Sequence, residues 1–127
     1  MSTAPILEPM NLGDLLKYEA ANLYSRDLAT VAAGHDLALG QVVSREAASG
    51  KLVALDPQAS DGTAQAVGVL AFPVDASLID REDAVLIARH AIVAERALVW
   101  PPGITAPQKA QAIADLAALG VLVRQSA

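Results

Sequence analysis

His35 and His90 are the chain's only imidazoles, they lie far apart in sequence, and no cysteine accompanies them. Asp36 follows His35, but neighbouring residues on a strand point to opposite faces, so the pair is not a ready acid–base dyad. A turn residue bonding its own backbone is the expected role for His35. His90 stands between Arg89 and Ala91 in an apolar stretch, where a half-buried or interface imidazole is expected over a ligand. Neither histidine has the i, i+4 partner of a helical metal site. Asp80, Glu82 and Asp83 gather around Arg81, yet the alternate ligands, central glycine and distal glutamate of a calcium loop are missing. A solvated turn leading into a strand at Ala84 is expected there. The stretch from Gly62 to Gly68 has neither a Gly-x-Gly-x-x-Gly spacing nor a phosphate-binding Lys-Ser/Thr pair. Ser44, Ser49, Ser60, Ser77 and Ser126 sit in no Gly-x-Ser-x-Gly elbow. These patterns name no catalytic residue, no metal ligand and no cofactor site. The expectation is a protein that is not an enzyme, with a small hydrolase or sugar-binding domain as a minor alternative.

Composition narrows the partners. Nine Lys and Arg face fourteen Asp and Glu, a net charge of −5. Nucleic-acid binding needs cations spaced along the phosphates, and no basic cluster occurs, so no nucleic-acid partner is expected. No apolar run approaches the ~18 residues of a membrane span, and no membrane partner is expected. The first basic residue is Lys17, which predicts no signal peptide. The lack of cysteine suits synthesis in a cytoplasm. Apolar residues make up 54% of the chain but aromatics only 3%, so alanine, valine and leucine must build the core. Each buried CH₂ contributes about 0.8 kcal/mol. Such a core leaves a modest reserve, to which subunit association adds.

These side chains must be positioned by elements that the punctuation of the chain delimits. Residues 1 to about 11 carry two prolines and no periodicity, which reads as an extended arm. Residues 12–24 leave two readings open. They are an apolar partner-binding tail continuing that arm, or a short N-terminal helix packed on the protein's own core. From Leu28 to Arg96, short apolar runs alternate with Gly, Asp and Pro, the pattern of strands and hairpins. The runs are Thr30–Ala32, Leu37–Leu39, Val42–Val43, Lys51–Leu55, Val67–Ala71, Ala84–Ala88 and Ala91–Ala94, with Ala97–Trp100 as a further strand. They lack strict alternation, as strands covered on both faces or lying in a subunit interface do. Thr105 and Gln108 form a capping box with Pro107 inside the first turn, Ala110 to Ala117 give an apolar face, and Gly120 ends the segment. A helix near 106–119 is therefore predicted, followed by a strand at Val121–Val123. The reading is a mainly β chain in two parts: an N-terminal arm over 1–24 and a β-rich domain over 25–127.

Taken in order, these stretches resemble the head-decoration protein family of tailed bacteriophages. The resemblance rests on Gly50-Lys51-Leu52-Val53-Ala54-Leu55-Asp56 before the turn at Asp61-Gly62, Ala66-Val67-Gly68-Val69-Leu70 after it, and Val74-Asp75-Ala76-Ser77. It continues through Leu98-Val99-Trp100-Pro101, the Ala/Gln-rich helix and Leu119-Gly120-Val121-Leu122-Val123-Arg124. Upstream, Tyr24-Ser25-Arg26-Asp27 and Gly34 to Val43 resemble the family's longer members. No one motif is distinctive; their order and spacing carry the likeness, over about residues 18–125. It implies a compact β-clip or β-tulip domain and a structural virion protein. Such proteins form homotrimers at three-fold and local three-fold positions on the outer capsid surface, and they hold the shell against packaged DNA. The implied partners are two further copies of the chain and the phage's major capsid protein. The implied arm pairs with a shell-protein strand, with Ile6, Leu7, Leu12, Leu15, Leu16, Tyr18, Leu23 and Tyr24 as its docking candidates. His90, Trp100 and Pro101 are candidates for the trimer interface or the core. The alternative is another β-rich phage component of tail, baseplate or fibre.

Overall fold

A computed structural model describes residues 10–59 and 63–125. Its first elements are helix α1 (Leu12–Leu15) and strands β1 (Leu16–Glu19), β2 (Arg26–Val31), β3 (His35–Leu37), β4 (Val42–Arg45) and β5 (Leu52–Ala54). They are followed by β6 (Gly68–Leu70), β7 (Val74–Ala76), β8 (Arg81–Ile87), β9 (Ala91–Ala94), helix α2 (Ala106–Ala118) and β10 (Val121–Arg124). Mainly β with one long C-terminal helix is the architecture the sequence predicts.

Five strands close a barrel in the order β2-β5-β4-β6-β8. Its longest pairing is antiparallel, β2 on β8, with Arg26 opposite Ile87, Leu28 opposite Val85 and Val31 opposite Arg81. Alternate residues of these strands point in and out. Val43, Leu52, Leu70 and Leu86 fill the barrel with Val31 and Ala84. Their neighbours Val42, Val69 and Ile87 point outwards into a second core. A three-stranded sheet, β1-β9-β10, covers that outer face together with both helices. β9 pairs antiparallel with β1 and parallel with β10. Leu15, Val93, Leu116 and Val121 are each 0% exposed there. Both faces of β4, β5 and β6 are thus covered within one chain, which is why these strands read as unbroken apolar runs, whereas Leu28 on β2 is exposed.

Helix α2 begins as predicted. Thr105 Oγ1 accepts the Gln108 N–H at 3.2 Å, and Gln108 Oε1 accepts the Thr105 N–H at 2.9 Å. Ala112 and Leu116 are its buried residues.

Three readings change. Leu12–Glu19 is not a detached tail: it forms α1 and β1, and Leu15 is fully buried against β9 and the outer core. Its helical spacing was too short to show which side would be covered. Ala97–Trp100 is not a strand; a 3-10 turn spans Glu95–Ala97, and only Val99 bridges to Gln41. Arg81–Asp83 is not a turn but the start of β8, because β2 offers it an antiparallel partner. The turn expected at Asp61-Gly62 lies outside the described residues.

Candidate interaction surfaces

The chemistry-bearing residues are dispersed. His35 lies in β3 opposite Ala76, and Asp36 beside it faces Asp75 across the ladder; the two form no dyad. Among the described residues no group of His, Asp or Glu is placed to hold a metal ion. No helix among them is long and apolar enough to cross a membrane. The charged groups instead tie strands and turns together.

The N-terminal segment is clamped at its end. Arg26 donates to both carboxylate oxygens of Glu19, at 2.8 and 2.7 Å, tying β1 to β2. Buried Ser25 accepts the Ala20 N–H at 2.9 Å and donates to the His90 carbonyl at 2.8 Å. Arg89 forks onto Asp27 at 2.9 and 2.6 Å, donates to the Tyr24 carbonyl and lies 5.3 Å from the Tyr24 ring centre. His90 meets Tyr24 edge to face. His90 is thus an exposed turn residue at a positive φ of 47°, not a core one. Trp100 and Pro101 are half-buried, with Trp100 packed on the outer core and Lys109 above its ring.

Of the arm candidates, Leu15 is core, and Leu12 and Leu16 pack against it half-buried. Tyr18, Leu23 and Tyr24 are exposed. Ile6 and Leu7 lie outside the described residues. In register, Tyr18, Ile92 and Leu122 form one row across β1, β9 and β10, all three at least partly exposed. Strand β1 is an edge of this sheet, so its outer row of backbone groups is open to a further strand.

At the opposite end of β8, the β7–β8 turn carries Leu78 at 90% exposure and Ile79 at 64%. Sequence reading passed these by because two aliphatic residues inside a polar turn look unremarkable. The available signal was the pair of flanking aspartates. Asp75 accepts the Ser77 N–H at 3.1 Å, and Asp80 accepts the Ala33 N–H at 2.8 Å and pairs with Lys51 at 2.6 Å.

Three carboxyls are held below their ordinary range. The Arg26 fork lowers Glu19, the Lys51 ammonium followed by the Ala33 N–H lowers Asp80, and the Ser77 hydroxyl and N–H lower Asp75. Their ordinary values are 4.5 for Glu and 3.8 for Asp. The folded chain therefore binds fewer protons at these groups than the unfolded chain. Their stabilisation is present above the unfolded values and is lost as pH falls through the lower folded ones. The urea midpoint is expected to hold steady from about pH 7 to 5 and to fall below about pH 4. Asp80→Asn should flatten part of that fall, and a variant profile identical to the parent's would remove Asp80 from the account.

Fold and surface together define a small β-barrel protein whose distinctive groups are exposed apolar side chains on polar-anchored edges and turns. The model of the family "bacteriophage lambda head decoration protein D" matches residues 5–121, and the chain belongs to that family. It is a structural, capsid-decorating protein of the phage head by that membership. None of the curated proteins matches it.

Proposed function

We propose that three copies of this chain bind together on the outer surface of a tailed-phage capsid, at three-fold and local three-fold sites, and stabilise the shell against the pressure of packaged DNA. The observation that carries this reading is the family match, which spans nearly the whole chain. The shell partner is the major capsid protein. Its contact is assigned to the segment before Met10 together with the open edge of β1. That edge supports the assignment because strand addition supplies main-chain hydrogen bonds with little side-chain specificity. A single short segment makes few contacts, so one alone binds weakly. Three on one trimer make the later contacts intramolecular and raise avidity.

The test uses expanded capsids lacking decoration. The full chain is expected to have the mass of three copies and to bind at sites of three-fold symmetry. A chain beginning at Met10 keeps every contact described above, and should stay folded while its capsid binding falls at least about 100-fold. A chain that remains monomeric and leaves the shell bare would overturn the proposal.

A further inference from the structure

The exposed tip of the β7–β8 turn has an unusual rim. Asp36, Asp75, Asp80, Glu82 and Asp83 lie on it or next to it, with Lys51, Arg81 and His35 as the basic side chains beside them among the described residues. Within this acidic ring Leu78 and Ile79 stand out into solvent. Singly exposed aliphatic residues need no explanation. Two adjacent ones on a turn held on both sides by the Asp75–Ser77 and Asp80–Ala33–Lys51 contacts make an exposed apolar knob.

The same chain carries a hollow of complementary character. It lies at the far mouth of the barrel and has a volume of about 550 Å³. Val67, Leu86 and Leu119 share its lining with Gln65, Arg45, Arg89 and His90, and Asp27, forked by Arg89, is the one carboxylate among the lining residues. The site is an open hollow rather than an enclosed cavity, and its volume is ample for two aliphatic side chains. Acidic knob and basic-rimmed hollow have opposite charge balance. The knob precedes β8 and the hollow lies at its end, seven residues on, or about 20 Å at the rise of a strand. Neither Leu78 nor Ile79 lines the hollow of its own molecule.

The geometry points to a head-to-tail contact in which the Leu78–Ile79 knob of one copy seats in the barrel-mouth hollow of a second copy of this chain. This rests on the homotrimer reading and assigns its interface. A contact between two different patches is heterologous, and turned by a third of a revolution at each step it closes a ring of three. Charge complementarity orients the approach, and burial of the two side chains supplies most of the affinity.

The chain has no cysteine, so introduced thiols report on this contact alone. Leu78→Cys and Ala118→Cys, the latter at the exposed rim of the hollow, are prepared separately in the full chain, mixed, and treated with a short bismaleimide. The expected product is the mixed dimer in excess over either homodimer, and the doubly substituted chain should yield covalent trimers. Leu78→Asp should weaken self-association about 100-fold with an unchanged circular dichroism spectrum, since the side chain touches little in the monomer. A stable trimer in which the thiols do not couple and Leu78→Asp is neutral overturns this interface and leaves the homotrimer standing. Loss of capsid binding by Leu78→Asp with the trimer intact also overturns it, and assigns the knob to the shell. A chain monomeric at every concentration removes both readings.

Discussion

Deleting residues 10–19 along with those before them is expected to unfold the protein, or to lower its melting temperature by more than 15 °C or so. The segment carries Leu15, which is 0% exposed, and β1, which supplies one of β9's two partners. Truncating a buried leucine to alanine costs about 2–5 kcal/mol. A domain of this size has only about 5–15 kcal/mol in total. The deletion adds the lost ladder and the Glu19–Arg26 clamp, and it uncovers Val93 and Ala91 on the outer core. Leu15→Ala alone should lower the urea midpoint without changing the slope of the transition. Leu15→Met, which conserves volume, should cost under about 1.5 kcal/mol. An unchanged melt in the deletion would mean that residues 10–19 are a detachable arm after all. The chain beginning at Met10 then separates binding from folding, since it retains Leu15 and β1 and lacks only what precedes them.

Gly40→Ala should be nearly as damaging, at upwards of about 3 kcal/mol. Gly40 has a φ of +85°, where an L side chain is disfavoured by about 1–2 kcal/mol. A Cβ there would also run into the Ala97 carbonyl oxygen, a backbone atom with no rotamer to change. The backbone cannot move aside cheaply. The Gly40 N–H donates to Leu70 at 2.9 Å, its carbonyl accepts from Val99 at 2.9 Å, and Val42 donates to Val99 at 3.1 Å. These bonds dock the 3-10 turn and the segment leading to Trp100 onto the barrel. Gly34→Ala is the control: its φ is +95°, but nothing lies within 4 Å of its added Cβ, so only the backbone cost of about 1–2 kcal/mol applies. Equal losses at the two positions, read by urea unfolding, would show that the contact with Ala97 is not what excludes a side chain at Gly40.

Helix α2 shows what local chemistry can settle. Its capping box, its proline and its narrow apolar face are contained in fifteen or so consecutive residues, and each acts on backbone groups within a turn of itself. The strands built on Val42, Leu52, Val69 and Leu86 were legible for a related reason, since short apolar runs between turn residues have few other uses. What those runs could not reveal was partnership. Whether Leu15 lies in a tail or a core depends on β9, far away in sequence. The strand beginning at Arg81 exists because β2 lies beside it. Val99 makes one bridge, to Gln41, where a strand was expected, and its own N–H and carbonyl are bonded to Gly40 and Val42 on either side.

The surfaces divide in the same way. Composition and spacing by themselves determined the β-rich class, the absence of a recognisable catalytic motif, and the family likeness, since each depends on residue type and order along the chain. Only the tertiary structure decided that Leu12–Glu19 belongs to the folded body, that His90 is an exposed turn residue, and that Leu78 and Ile79 stand exposed on the β7–β8 turn. It alone placed that turn and the basic-rimmed hollow at opposite ends of one barrel. Burial and exposure are set by which distant strand covers which face, and a one-residue change of register would exchange those faces.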